Sequence, residues 1–293
     1  MLTHRLGRNT YLTCRSLPAT RFGQKCNNLR WQSTDTHDGL PVTDTNRAEL
    51  SQKRFWKDVG VERRGESLVV TLDKRALKTP GGQTLQLPLN KTLPAALAAA
   101  EWDHQEVLLK PHALPMTSII SRAVDAMVEE KTRAEVRAAL VKYIHTDTIC
   151  FFHDNPEPLE RLQSQHWTPL LEWARKTFDV KLDVSNSIMS VRQSKETEEK
   201  MLKVMESFDQ WEMAGTNLYK PEAMERATYA AKSLIIALAL VKNRISVEEA
   251  ALAATVEVNS QIERWGEVED THDVDYHDIR RQLGSAACLL STV

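Results

Sequence analysis

The spacing of apolar residues along this chain changes period once, near Leu87, and that change limits what it can fold into. Up to that point the pattern is strand-like. Ser67-Leu68-Val69-Val70-Thr71-Leu72 is short and β-branched, and Thr84 to Leu87 alternates polar with apolar residues. Asp73-Lys74 and Pro80-Gly81-Gly82 supply turn chemistry between the strand segments. The spacing predicts a small antiparallel meander within Phe55 to Leu87. Beyond it the period becomes helical. Helices are predicted over 92–107, 117–129, 131–144, 158–178, 194–213, 222–242, 246–265 and 275–291.

Several of these segments carry local signals. Thr92 is a cap candidate followed by Pro94, and Ala95 to Ala100 forms a small-residue face that lets another element approach closely. In 194–213, Met201, Val204, Met205, Phe208 and Trp211 fall at helical spacing, with Glu196, Glu198 and Glu199 near the N-terminus where the helix dipole favours them. Leu234 to Val241 is the most apolar run. At eight residues it is far below the roughly 20 a bilayer span requires, so it reads as a buried helix. Asn155-Pro156-Glu157-Pro158 is the strongest internal punctuation and places a domain boundary there.

The N-terminus is of another character. From Met1 to Thr34 there is no Asp or Glu, while Arg5, Arg8, Arg15, Arg21, Lys25 and Arg30 recur among hydroxyl residues. This is the pattern of a mitochondrial presequence, so residues 1–34 are expected to be removed and the working protein to reside in the mitochondrial matrix. A basic arm for nucleic acid is the alternative, and the lack of a Lys-rich block speaks against it. Residues 35–52 are polar and aperiodic and read as a disordered linker. Setting the six basic residues aside leaves 32 basic against 40 acidic residues, the wrong balance for a nucleic-acid binder. Cys150 and Cys288 lie far apart and form no metal or redox motif.

Chemistry is hard to find. There is no GxGxxG, GxSxG or HExxH, and Gly81-Gly82-Gln83-Thr84 lacks the lysine of a phosphate loop. His272 and His277 stand five apart among Asp270, Asp273, Asp275 and Asp278, which reads as a solvated acidic segment before it reads as a metal site. His145, Asp147 and Cys150 sit together after a helix without an identifiable orienting group, so packing or capping is preferred to acid–base work. Ser246-Val247-Glu248-Glu249 is a capping box. On the helix it opens, Ala254, Val258, Ile262 and Trp265 form one stripe, with Glu257 and Gln261 four apart beside it. A carboxylate and an amide there must either find internal partners or face a groove that receives something.

Five segments carry a resemblance. They are Arg54-Phe55-Trp56-Lys57, Leu72 to Pro80, Glu101-Trp102-Asp103-x-Gln105, Thr146-Asp147-x-x-Cys150 and Gln261-x-x-x-Trp265-Gly266. In that order they resemble the mitochondrial ATP synthase assembly factor 2 family, chaperones of the α subunit of the F-type ATP synthase catalytic head. The family usually has Gly where Lys74 stands, Pro-Leu-Thr where Pro115-Met116-Thr117 stands, and a denser acidic cluster around Glu257. The resemblance implies an α+β fold, with an N-terminal α+β domain over 53–155 and an all-α C-terminal domain over 156–293. It implies binding without turnover, no catalytic residues, no metal and no cofactor. It also implies a free α subunit as partner, with no nucleic acid, membrane insertion or small-molecule substrate. Glu257, Gln261, Trp265 and Gly266 become the partner-binding residues, and Trp102 and Trp56 pack the N-terminal domain. The competing readings are a matrix enzyme using His145, Asp147 and Glu257, a helical binder of a lipid or quinone lined by the Met and Leu residues of 194–242, and a permanent ATP synthase subunit.

Overall fold

The structure is a computed structural model and describes residues 53–125, 130–187, 192–208, 211 and 223–292. The presequence and linker expected over 1–52 lie outside the described residues, as do 126–129 and most of 209–222. The chain is α+β, with one small antiparallel sheet followed by helices.

The sheet is organised on β2 (Ser67–Leu72), which pairs with β1 (Val59–Arg64) on one side and with β3 (Arg75–Ala76) and β4 (Gln86–Pro88) on the other. Val69, Val70, Thr71 and Leu72 are all buried, as a central strand covered on both faces requires. The hairpin from β1 to β2 turns at Gly65, whose φ of 62° suits glycine. The next turn is Asp73-Lys74, as the sequence predicts, and both residues take positive φ (47° and 68°), the type I′ geometry of tight hairpins.

Helix α1 (Thr92–Asp103) lies on the sheet through Ala95 and Ala98, which have no exposed surface. Thr92 is not its cap. Lys91 holds that position without a side-chain cap bond and sends its ammonium elsewhere. Buried Lys91 Nζ donates to the carbonyls of Leu289 and Leu290, at 2.9 and 3.0 Å. These belong to the C-terminal turn of the last helix, where the dipole favours a cation. Next come α2 (Pro115–Asp125), α3 (Glu130–Lys142) and two 3-10 turns, Tyr143–His145 and Thr148–Cys150.

Three predicted long helices are each two. The 158–178 segment divides into α4 (Glu157–His166) and α5 (Thr168–Phe178), because Pro169 tolerates only the first turn of a helix. Trp167, at the break, is fully buried and donates its Nε1 to Ala253 O at 2.8 Å. After α6 (Lys195–Glu206), the 222–242 segment divides into α7 (Ala223–Ala231) and α8 (Leu234–Val241). Lys232 takes a φ of 52° there, and Ser233 caps α8 through Ile236 N at 3.1 Å. All eight residues of α8 are buried, as its uninterrupted apolar run predicts. The 246–265 segment divides at Thr255 into α9 (Val247–Ala254) and α10 (Val256–Trp265), and the predicted capping box at Ser246 and Glu249 is present. The last helix, α11 (Glu269–Leu290), begins six residues before its predicted start at 275. The described residues fall in one compact unit, and a continuous apolar core runs from Trp56 through α8 to Leu289.

Candidate partner-binding site

Helix α10 stands against α4. Its Val256 and Ser260 are buried, and Arg161 Nη2 on α4 pairs with Glu263 Oε2 at 2.6 Å. The predicted stripe of Ala254, Val258, Ile262 and Trp265 is therefore not the buried face: the first three are half-buried and Trp265 is 69% exposed. The break at Thr255 resets the rotation, and Ser260 takes the inner position that simple helical periodicity would not give it.

That rotation turns Glu257 and Gln261 outward. Both are exposed, and among the described residues neither side chain makes a hydrogen bond or an ion pair. They line a groove of about 180 Å³ together with Ser260, Arg264 and Trp265 of α10 and Pro156 and Leu159 of the facing segment. The Arg264 guanidinium lies 4.9 Å from the Trp265 ring centroid, which orients the indole and brings a cation to a groove that already holds a carboxylate. Gly266 ends the helix with φ 87° and ψ 170°, a conformation essentially reserved for glycine, and its N–H bonds Ile262 O at 2.8 Å. The structure thus brings Glu257, Gln261 and Trp265 together, with Gly266 as the bend that leaves Trp265 at a free helix end. Sequence reasoning missed Arg264, Pro156 and Leu159. Arg264 was within reach, three residues past Gln261 on the same helix, whereas the facing residues arrive only through packing.

The other four segments of the resemblance are spent on internal hydrogen bonds. Arg54 donates from Nη1 to Asp103 O and Gln105 O, at 2.8 and 2.5 Å. Trp56 Nε1 donates to Trp102 O, and the two indoles pack 4.9 Å apart. Glu101 caps α2 from a different helix, accepting from Met116 N (2.5 Å), Thr117 N (2.8 Å) and Thr117 Oγ1 (2.8 Å). Burial pushes the Glu101 carboxyl above its ordinary range, opposed by those bonds. Trp102 Nε1 donates to Thr117 Oγ1, and Gln105 bridges Glu101 O and Lys110 N. Asp73 Oδ1 accepts from Lys57 N and Asp58 N, and these bonds hold its carboxyl below the usual range. Phe55, 76% exposed, is the aromatic residue of these four segments that faces solvent.

The His145, Asp147 and Cys150 group is likewise internal. Asp147 has no exposed surface. Its Oδ1 accepts from Ile149 N at 3.3 Å, and its Oδ2 accepts from Ile235 N at 3.1 Å, at the start of α8. Burial drives its carboxyl up to about 6 despite these bonds and one with Ser233. Cys150 is buried, and desolvation pushes its thiol up, away from the reactive thiolate. His145 Nε2 lies 3.6 Å from Glu198 Oε2. The structure does not bring Glu257 to this group: none of the three lines its groove. Met201, Met205 and the Leu residues of α8 (Leu234, Leu238 and Leu240), which the lipid reading required to line a cavity, are packed into the core.

The ATP12 chaperone protein family matches residues 53–175. The mitochondrial protein atp12 of Schizosaccharomyces pombe is 32% identical over 251 residues, which cover 82% of this chain and 82% of that protein. The chain belongs to the ATP12 chaperone family. The mitochondrial ATP12 protein of Saccharomyces cerevisiae is 28% identical over 294 residues, covering 86% and 88% of the two chains. The crystal structure of Atp12 from Paracoccus denitrificans superposes with a TM-score of 0.69 at 26% identity, covering 83% of this chain and 98% of that one. The chain therefore shares the fold of nearly the whole of that Atp12 structure.

Proposed function

We propose that this chain is a mitochondrial matrix chaperone for assembly of the F-type ATP synthase. It holds the free α subunit of the catalytic head until the β subunit takes its place, and the groove on α10 is part of the contact. One observation carries the reading. Of the five segments that resemble the assembly-factor family, four are occupied by hydrogen bonds within the fold, and Gln261-x-x-x-Trp265-Gly266 opens to solvent beside Glu257, whose side chain has no partner among the described residues.

The physical logic follows from what an unassembled subunit exposes. An obligate interface is large and apolar, and it aggregates when left uncovered. A holder must cover it and still be displaced. An exposed Trp gives an anchor, since Trp is enriched among residues that dominate binding. Glu257, Gln261 and Arg264 add polar contacts that fix register without making the interface permanent. This role is binding alone. It uses no cofactor or metal, and the buried Asp147 and Cys150 serve the fold.

Co-expression tests the proposal. With wild type, the α subunit should stay soluble. Glu257→Lys and Trp265→Ala, both at exposed positions, should leave this protein folded while the soluble α subunit falls several-fold, on the scale of losing one anchor contact of about 2 kcal/mol. If both variants protect as well as wild type, the groove is not the contact. If wild type itself gives no protection, the partner is wrong.

A further inference from the structure

Helix α11 is two helices in character. From Ile279 onward it is fastened: Leu283, Ser285, Ala286 and Leu289 are buried against neighbouring helices, and Arg280 pairs with Glu248 at 2.6 Å. Glu269–His277 is different. Every residue of that stretch except His272 is exposed, including Val274 (65%) and Tyr276 (49%), and so is Val268 (60%) just before it. The apolar stripe does not continue into this half, because Thr271, His272 and Asp275 stand where helical rotation would place its next members. Among the described residues, this half therefore has no buried face.

Its composition is also one that an isolated helix would not choose. Asp, Thr, His, Val and Tyr are all weak helix formers. Between Arg264 and Arg280 there are six acidic residues and no Lys or Arg. Asp278 forms an ion pair with Arg281 and accepts a hydrogen bond from Gln282 Nε2. Among the described residues, Glu269, Asp270, Asp273 and Asp275 make no side-chain hydrogen bond or ion pair, so neighbours such as Asp270 and Asp273 repel along one face. Nucleic-acid phosphates and anionic lipid headgroups would be repelled by the same field. A polypeptide segment that offers lysine or arginine alternating with apolar side chains satisfies both the charges and the exposed Val274 and Tyr276.

We propose that the free half of α11 is a second docking element, continuous with the Trp265 groove through Gly266, and that it seats a basic amphipathic stretch of the bound client. This rests on the chaperone reading above, with the α subunit as the client that presents such a stretch.

The test uses the full chain and the combined variant Asp270→Asn, Asp273→Asn and Asp275→Asn, which leaves the groove intact. Binding of the isolated α subunit should weaken about tenfold in low salt, the scale of losing three exposed charge contacts. The gap should close in high salt, where such contacts are screened. Backbone amides of 269–277 should exchange more slowly in the wild-type complex. Equal low-salt affinity of wild type and variant, or unchanged exchange at those amides, overturns the proposal and leaves the groove standing. If the α subunit fails to bind wild type at all, the client assignment falls. The arm is then judged with a synthetic lysine–leucine amphipathic peptide: binding lost in the variant upholds it, and equal binding overturns it.

Discussion

Lys74 shows how one residue can be read from sequence and then explained by geometry. The Asp73-Lys74 turn was legible because Asp belongs in tight turns, and the family's usual Gly at position 74 was already a hint. The structure gives the reason: Lys74 sits at φ 68°, in the left-handed region, where a Cβ is strained and glycine is not. Lys74 contributes its carbonyl, which accepts from Arg64 Nη2 at 3.1 Å, and glycine keeps that carbonyl. Lys74→Gly should therefore stabilise the protein by about 0.5–1 kcal/mol, less the entropy glycine adds to the unfolded chain. Chemical denaturation of the two proteins measures it. A clear loss of stability would mean that the lysine side chain has a role of its own. At the candidate site, Glu257, Gln261 and Trp265 were legible for a similar reason, since one helix sets their spacing. Pro156 and Leu159 were not, because nothing in a linear pattern says which helix will lie across the groove.

Among the elements, their types were legible and their ends often were not. The strands and helices fall where the period places them, but Pro169, Lys232 and Thr255 each cut a predicted helix in two. Pro169 could have been read directly, since a proline inside a helical pattern marks a boundary. The cut at Thr255 could not, because a β-branched residue lowers helix propensity only slightly and packing decides the outcome. The start of α2 makes the same point. Its first N–H groups are capped by Glu101, fifteen residues upstream on α1, so no local box announces it. Glu101→Ala would leave Met116 N, Thr117 N and the Thr117 hydroxyl without that acceptor, and Trp102 Nε1 bonds to the same hydroxyl. The expected cost is about 2 kcal/mol, the upper range for a lost cap. Glu101→Gln, which retains one acceptor oxygen, should lose less. Thermal unfolding of the three proteins tests the order, and equal melting of Glu101→Ala and wild type would show that solvent replaces the carboxylate without cost.

Across the whole molecule, contacts far apart in sequence tie its early and late parts together. Lys91 reaches the last turn of α11, Trp167 bonds into α9, and Asp147 joins the 3-10 turn after α3 to the N-terminus of α8, 88 residues away. The Asp147–Ile235 bond spans the expected boundary at 155–156. A carboxylate in that position gives the stability of the whole fold a pH signature. Burial raises Asp147 to about 6, against roughly 3.9 for an aspartate in the unfolded chain. Below pH 4 both states hold the proton and the group is neutral to stability differences. Between about 4 and 6 the unfolded chain releases its proton while the folded one retains it, so the contribution of Asp147 declines as pH rises and levels off above 6. The full decline is of order 3 kcal/mol, two pKa units at 1.36 each. Other carboxylates impose slopes of their own, and Asp73, held low by its hydrogen bonds, acts in the opposite sense at lower pH. The decisive quantity is thus the difference between wild type and Asp147→Asn, measured by denaturant unfolding at intervals from pH 4 to 7. Asparagine presents an N–H₂ to a backbone N–H and should lower stability throughout. The gap should nonetheless narrow as pH rises from about 4 to 6 and then level off, because only wild type carries the titrating group. A gap that stays constant across that interval would place the titration of Asp147 elsewhere.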